Sequence, residues 1–451
     1  MAVAPHPPSP TPAPPDPDLQ TGLQYVRAGW FDRAEPLFRN ALARHGERPD
    51  ILHFLAVCLS QRGALDDAEQ LWRKAIARDP KEPMLSYNLG LVARRQGRLD
   101  EAARRFRDTI RRAPNHVDAR LALAGIQMDQ GRYAAAEREL GQLLNDMERA
   151  EHEGRPAPKP LLARLRNMLG SALYRCGQPG AALEVLDQAL ADTDEEDVGR
   201  RSQIMSDRAL ALASQGHHEE AIAEAGQAAG LAPETAALQH ALGFILYYAG
   251  RPEEALVPLQ RALELDPGFK GGRNTLALAQ SALGRGDEAA GLLSEHLQQN
   301  PRDREAILTL SLLQIGRRDY GGALAVLEPH LKESPEDVRA LNNQGLALRG
   351  LKRFEEARRT LKRAQRVAGD DPFVLTNLAS VLVDLERAAE ARPLHEQALQ
   401  ILPGDPRLLG NYGICLAALG ERDRARDVLD ASLASDPNNE EALVARANID
   451  A

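Results

Sequence analysis

Alanine returns every 34 residues along most of this 451-residue chain, and that period constrains the fold more than any other feature of the sequence. A fixed period of this length indicates copies of one small structural unit, stacked so that each copy contacts its neighbours. Apolar residues at helical spacing occur twice in each period, with a short glycine-containing turn between them, which predicts two antiparallel helices per repeat. The alanines in register are Ala34, Ala68, Ala102, Ala136, Ala221, Ala255, Ala289, Ala323, Ala357, Ala391 and Ala425.

The residues around each alanine form a recurring frame. Around Ala255 this frame has Gly243 twelve residues before, Leu246 nine before, Leu259 four after and Pro267 twelve after. The frame resembles the tetratricopeptide repeat (TPR), whose pattern is W-x2-L-G-x2-Y, then A-x3-F, then P. The resemblance covers about twelve tandem repeats. It implies an all-α fold, a right-handed α-solenoid (superhelix) of stacked helix-turn-helix units.

Breaks in the period predict the boundaries of the array. The register is lost between Ala136 and Ala182, where Pro156, Pro158 and Pro160 argue against a continuous helix and predict an exposed loop. A second, shorter and acidic insertion is expected at 192–199. The predicted organisation is a proline-rich disordered tail at 1–17, repeats 1 to 4 at 18–144, a charged, proline-containing insertion at 145–160, repeats 5 to 12 at 161–437 and a capping helix at 438–451.

Composition disfavours several classes of partner. The formal net charge of −9 disfavours nucleic acid, since binding to that polyanion needs a basic surface. No apolar stretch is long enough to cross a bilayer and the amino terminus lacks the pattern of a signal peptide, so we expect no membrane insertion. Three cysteines far apart in the sequence favour a reducing, cytoplasmic location over a disulfide framework.

The chain lacks the motifs of catalysis. It contains no G-x-x-x-x-G-K-[ST], G-x-S-x-G or H-E-x-x-H sequence. His217 and His218 stand beside two glutamates, but in a predicted turn between helices, where a metal site is disfavoured. We therefore predict no catalytic residue, no metal site and no cofactor, and a protein that is not an enzyme.

Asparagines at one place in the repeat are the first candidate binding residues. Asn343, Asn377 and Asn411 each precede the small Gly or Ala of their repeat by two places, and Asn88 is equivalent in the third repeat. Stacked carboxamides both donate to and accept from an extended peptide backbone. The run resembles the asparagine ladder of O-linked N-acetylglucosamine transferase, which implies peptide binding in a concave groove lined by first helices. The alternative is that asparagine is simply frequent at this place in such repeats.

Two further clusters are candidates for the same role. His240, Phe244, Tyr247 and Tyr248 place aromatic surface on one helix of a chain with only 4% aromatic residues, which suits an anchor for an apolar side chain. Core packing is the alternative. Arg94 and Arg95 begin a basic stretch that suits an acidic segment of a partner, and the alternative is a solvated charged face, because acidic residues interleave.

These observations together predict a non-enzymatic scaffold or adaptor that binds a peptide or protein segment in its concave groove. The alternative is a regulatory or substrate-delivery subunit of a separately encoded enzyme, or of a secretion or assembly machine. Repeat architecture identifies a surface and leaves the partner and the oligomeric state open.

Overall fold

A computed structural model describes residues 16–269 and 271–450, and over these residues the chain is helical and contains no strand. The all-α architecture is therefore confirmed. The helices are α1 Pro17–Arg27, α2 Phe31–His45, α3 Pro49–Gln61, α4 Leu65–Arg78, α5 Pro83–Arg95, α6 Leu99–Arg112, α7 Val117–Asp129, α8 Tyr133–His152, α9 Lys159–Arg175, α10 Pro179–Ala191, α11 Val198–Ser214, α12 His218–Leu231, α13 Ala236–Tyr248, α14 Pro252–Leu265, α15 Gly272–Ala282, α16 Gly286–Gln299, α17 Arg304–Gly316, α18 Tyr320–Glu333, α19 Val338–Gly350, α20 Phe354–Ala368, α21 Pro372–Asp384, α22 Ala388–Ile401, α23 Pro406–Ala418, α24 Arg422–Ser435 and α25 Glu440–Asp450.

The start of the first helix is set in the same way in successive repeats. Asp303, Asp337, Asp371 and Asp405 lie 34 residues apart, and each caps its helix by accepting a hydrogen bond from a backbone N–H two or three residues further on. Such a cap satisfies a donor that has no partner inside the helix. The repeat therefore places successive first helices in one register.

Close approach of the two helices in a repeat explains the small residues in the frame. A Cβ atom added to Gly243 would lie 2.5 Å from Cγ of Leu259 and 3.2 Å from the carbonyl oxygen of Ala255. Leu259 and Ala255 are both fully buried. A larger side chain at either small position would overpack this contact, which is why glycine and alanine recur there.

The chain divides into two compact bodies, one ending at Glu224 and the other beginning at Ala225, within α12. In each body, second helices pack on the first helices of their own and the following repeat. The cores are alanine- and leucine-rich clusters, such as the one that joins Ala323, Leu361 and Leu429 in the carboxy-terminal body.

The exposed loop predicted at 145–160 is wrong for most of that range. Helix α8 continues to His152 and α9 begins at Lys159, so the extra residues mostly lengthen two helices. Met147 is buried against the leucines of α8, which stabilises the extension. Pro160 lies in the first turn of α9, where proline leaves no helical hydrogen bond unmade. The second insertion is a loop up to Asp197, and α11 starts at Val198.

The two predicted ends of the array have different outcomes. Residues 1–15 of the proline-rich tail lie outside the described residues, and Asp16 caps α1, which starts at Pro17. At the other end α25 is a helix whose Ala442 and Ile449 are buried against the preceding repeat. Its role as a cap remains a prediction.

Candidate functional site

The first helices of three consecutive repeats form one continuous surface in the carboxy-terminal body. Helix α21 packs against α19 on one side and α23 on the other. Asn343, Asn377 and Asn411 occupy the same place on these three helices. The fold therefore brings the predicted asparagines together, and it does so through the 34-residue register alone.

These asparagines line a groove of about 1010 Å³, which we call the asparagine groove. Its floor and walls come from the first helices of the carboxy-terminal body and from the start of α25. The lining residues are Tyr248, Leu312, Val338, Arg339, Asn342, Asn343, Leu346, Asp371, Phe373, Val374, Thr376, Asn377, Arg407, Leu408, Asn411, Asn439 and Glu441.

The side chain of Asn343 forms hydrogen bonds that link two neighbouring repeats. Its side chain is buried, with the residue only 5% exposed, and its Nδ2 donates to the carbonyl oxygen of Leu308 at 3.3 Å and to Oγ of Ser311 at 2.9 Å. Both amide hydrogens are thereby used. Although Asn343 lies at the groove, it has no N–H left for a ligand.

Asn377 and Asn411 keep part of their hydrogen-bonding capacity. Nδ2 of Asn377 donates to Oδ1 of Asn342 at 2.9 Å. Asn411 accepts from Oγ of Ser380 at 3.0 Å and donates to the carbonyl oxygen of Arg407 at 2.9 Å. Each Nδ2 therefore retains one hydrogen, and both side chains are partly exposed.

Asn342 is a groove residue that the sequence reasoning missed. Its side chain accepts from Asn377, lies in the groove and keeps both of its own amide hydrogens. The predicted asparagines occupy one position per repeat, and Asn342 stands one place before that position. The Asn-Asn pair at 342–343 was the available signal, because two adjacent carboxamides on a helix cannot point in the same direction.

A second set of residues in register lies along the groove, and all of them except Glu305 line it. Glu305, Arg339, Phe373, Arg407 and Glu441 are spaced by 34 residues. Arg339 pairs with Glu305 at 3.0 Å, and the guanidinium of Arg407 lies over the ring of Phe373 at 5.0 Å. This set was also missed, since its residue types differ from repeat to repeat and only the spacing connects them.

Of the four aromatic candidates on α13, only Tyr248 lines the asparagine groove. It is 58% exposed and packs on Phe244 and Tyr247, with ring centroids 4.5 Å and 5.1 Å away. His240 bonds to Oγ1 of Thr275 at 3.1 Å, and burial lowers its pKa to about 4. Phe244 and Tyr247 thus support Tyr248, while His240 packs on Phe244 and Phe269, as the core-packing alternative predicts.

Asn88, Arg94 and Arg95 lie on α5, in the amino-terminal body, and none of them lines the asparagine groove. Nδ2 of Asn88 donates to the carbonyl oxygen of Met84 at 2.9 Å. Arg95 donates to both oxygens of Ser60 at 3.3 Å, and both arginines are exposed. The predicted binding residues therefore separate into two groups, and their role in peptide binding stays a prediction.

The described residues give little support to a metal site or to a membrane-spanning helix. Within it, no three histidine, cysteine, aspartate or glutamate side chains come close enough to share a metal ion. His296 and His330 instead pair with the helix-capping Asp303 and Asp337, each at 2.8 Å. None of the helices described combines the length and apolar composition needed to span a bilayer.

Comparison with known proteins decides the family. One family model described as tetratricopeptide repeat matches residues 25–87, 246–311 and 382–449. A second model with the same description matches residues 87–147, 167–236 and 308–372. The chain is a tetratricopeptide repeat protein. The resemblance predicted from the alanine frame is confirmed.

One of the solved structures that this chain resembles supports the fold. The crystal structure of yeast Tom70 is similar, with 16% sequence identity, a TM-score of 0.54 and coverage of 90% of this chain and 95% of that one. The APC/C heterotetramer Cut9–Hcn1 matches with 14% identity and a TM-score of 0.46, over 95% of each chain. No curated protein matches this sequence. At 16% identity the likeness to Tom70 concerns the fold of this TPR protein and not its partners.

Proposed function

We propose that this TPR protein is a non-enzymatic scaffold that holds an extended segment of another protein in the asparagine groove. The observation that carries the proposal is the meeting of free carboxamide N–H groups and exposed apolar side chains along one groove. Family membership supports it, because TPR surfaces are typically used to bind proteins.

The polar floor gives the means of holding a backbone. Asn342, Asn377 and Asn411 each present at least one amide hydrogen to the groove, and an extended peptide offers carbonyl oxygens at regular intervals. Such bonds give affinity that depends little on the sequence of the bound segment.

The apolar walls give the means of selecting a sequence. Tyr248 is exposed at one side, and Leu312 and Phe373 are also exposed apolar side chains in the lining. An aliphatic or aromatic side chain of the partner would bury apolar area against them, at roughly 25 cal/mol per Å². In this scheme the apolar walls determine which sequences bind. The asparagines of the floor set the register of the bound segment.

A subunit that delivers substrates to a separate enzyme would use the same groove. The two functions differ in what accompanies the chain, since a subunit would co-purify with an enzyme in equal molar amount. The proposed location is the cytoplasm, as the spacing of the cysteines favours.

Affinity capture from the source cell with groove variants tests the proposal. Changing Asn342, Asn377 and Asn411 together to alanine removes about three hydrogen bonds, or about 3 kcal/mol. This corresponds to roughly a hundredfold loss of affinity. We therefore expect captured partners to be lost.

The control is Asn40→Ala. This asparagine is exposed on the second helix α2 of the amino-terminal body and is not among the candidate binding residues. The proposal is wrong if the triple variant, with an unchanged circular dichroism spectrum, keeps every partner, or if Asn40→Ala loses them equally.

A further inference from the structure

A pocket of about 430 Å³ lies in the amino-terminal body, where the first helices α3 and α5 begin. His53 and Phe54 of α3 and Met84 of α5 line it, and Asp79 and Glu82 line it from the turn between α4 and α5. We call it the amino-terminal pocket. Its volume lies within the range of about 300–1,000 Å³ that is typical of ligand sites.

The walls of the amino-terminal pocket leave apolar surface open. Phe54 stacks on the fully buried Phe38, with ring centroids 5.6 Å apart, and is itself only partly buried. Met84 is 39% exposed. An aromatic face attracts a cation, and a methionine side chain adapts to the shape of what it contacts. The walls therefore suit a side chain with an apolar stem and a planar or cationic end.

Two carboxylates at this pocket each keep an oxygen without a partner. Oδ1 of Asp79 accepts from the backbone N–H of Lys81 at 3.2 Å, and Oε1 of Glu82 accepts from that of Met84 at 3.1 Å. Among the described residues the second oxygen of each carboxylate accepts no hydrogen bond, and neither carboxylate has an ion pair. A carboxylate with a free oxygen accepts strong hydrogen bonds from a cation.

The positive charges nearest in the sequence do not neutralise this pocket. Arg48 pairs with Asp50 through two bonds of 3.1 Å and 2.6 Å, so that pair contributes no net charge. Lys81 is exposed and does not line the pocket. The lining residues, all of them described, include no group that could hold a metal ion. The remaining negative charge therefore favours an organic cation as the occupant.

His53 adds a neutral hydrogen-bond donor to the wall. Its Nδ1 lies 3.2 Å from Nε1 of Trp72, which can only donate, so the ring proton is on Nε2. Burial lowers the pKa of His53, which keeps the ring uncharged. Nε2 has no partner among the described residues and is not enclosed. The ring therefore does not repel a cation, and its N–H is available to a carbonyl oxygen.

We propose that the amino-terminal pocket binds an arginine side chain of a partner protein. The guanidinium carries five N–H donors in a planar fork, so it can bond to the free oxygens of Asp79 and Glu82 and lie against the ring of Phe54. The apolar stem then packs on Met84, and Nε2–H of His53 donates to a carbonyl oxygen of the partner. A lysine ammonium supplies the charge but has no flat face. The pocket and the asparagine groove lie in different bodies, so this site does not rest on the proposed function.

The two tryptophans of the chain allow a direct test by NMR. Trp72 is 2% exposed and bonds to His53 in the pocket wall, whereas Trp30 is 53% exposed and does not line the pocket. A titration of the isotope-labelled full chain with N-acetylarginine methylamide follows both indole N–H signals. We expect the Trp72 signal to shift saturably and the Trp30 signal to stay. The citrulline derivative, which has a similar shape without the charge, should bind at least tenfold more weakly.

Two substitutions locate the binding. Asp79→Asn and Glu82→Gln each remove a charge but keep an oxygen that can accept from the backbone of the following turn. Each should weaken binding of the arginine derivative at least fivefold. Asp423→Asn makes the same change of net charge in the carboxy-terminal body and should leave the affinity unchanged. An unshifted Trp72 signal in each ligand-free variant shows that the pocket wall is intact.

The outcomes that overturn the proposal are distinct. They are an unmoved Trp72 signal in the wild-type titration, equal affinity for the citrulline derivative, and equal affinity in the variant that combines Asp79→Asn with Glu82→Gln. Equal affinity for the lysine derivative overturns the assignment to arginine. The comparison of arginine with citrulline on the wild-type chain decides the matter even where a variant disturbs the wall. None of these outcomes bears on the asparagine groove, whose test is the loss of captured partners in its own triple variant.

Discussion

At the scale of single residues, His395 is the least expected member of the core. It stands four places after Ala391, where Leu259, Leu361 and Leu429 stand in other repeats. The residue is 1% exposed, and neither ring nitrogen has a hydrogen-bond partner among the described residues. Burial lowers its pKa to about 4, because the charged imidazolium would lose its hydration there. Folding therefore keeps this histidine neutral at a cost that leucine would not have.

We predict that His395→Leu stabilises the protein, and more so in acid. Below pH 6.5 the unfolded chain protonates this histidine while the folded chain does not until about pH 4, so wild-type stability falls across that window. The shift corresponds to roughly 3 kcal/mol. Urea unfolding at pH 7 and pH 4 should show the gap between variant and wild type widening by about that amount.

The substitution has precedents within the chain. Leu293 packs against Ala277, and Leu140 against Ala124, at the places where His395 faces Ala379. Leucine therefore fits opposite alanine. The exposed His152→Leu serves as the control, and a gap that stays constant with pH would show that His395 titrates normally in the folded chain.

Single residues also show how far the sequence predicts the site. The repeat register predicts that Asn377 and Asn411 share a face, since 34-residue spacing fixes their place on stacked helices. It cannot predict that both amide hydrogens of Asn343 are already bonded within the protein, because those bonds depend on Ser311 and Leu308 of the preceding repeat. The free donors of Asn342 and the unpaired hydroxyl of Thr376 likewise follow from packing between repeats.

At the scale of helices and turns, the connection inside each repeat requires one residue with left-handed backbone. Glycine supplies it in several repeats, with φ of 77° at Gly250 and 80° at Gly420. In three consecutive repeats the residue is instead Arg318, Lys352 or Glu386, with φ of 62°, 60° and 58°. Residues with a Cβ are strained in this region, by about 1 kcal/mol or more.

We predict that Lys352→Gly stabilises the protein by roughly 0.5 kcal/mol. Relief of the strain exceeds the extra backbone entropy that glycine gives to the unfolded chain. The hydrogen bond from the Lys352 N–H to the carbonyl oxygen of Arg349 is retained. Chemical unfolding measures the change. Gly420→Lys should have the opposite sign, and a gain from Lys352→Ala as large as from Lys352→Gly would refute the role of backbone strain.

Helix lengths show where sequence prediction was weakest. Proline spacing predicted a loop at 145–160, but proline stops a helix only beyond its first turn. Because Pro160 falls inside the first turn of α9, the helix begins before it. Met147 continues the apolar stripe of the α8 leucines into the start of the supposed loop. The periodic apolar pattern was the better guide there.

At the scale of the whole molecule, repetition explains both the fold and the placement of the candidate site. Every repeat presents the same first-helix positions, so a few substitutions in register give one part of the surface a character of its own. Here the polar positions of three repeats coincide with the exposed Tyr248 in the carboxy-terminal body. The net charge of −9 agrees with a surface that uses hydrogen bonds and apolar contacts, not a basic patch.

Site-specific photo-crosslinking distinguishes a protein segment bound in the asparagine groove from one bound elsewhere on the surface. A benzophenone amino acid replaces Tyr248 in one full-length chain and Val257, 71% exposed on the second helix α14, in another. After irradiation in cells and mass spectrometry, we expect crosslinks from position 248 to short extended protein segments and none of these from position 257. Partners that crosslink equally at both positions, or only at 257, would contradict binding in the asparagine groove.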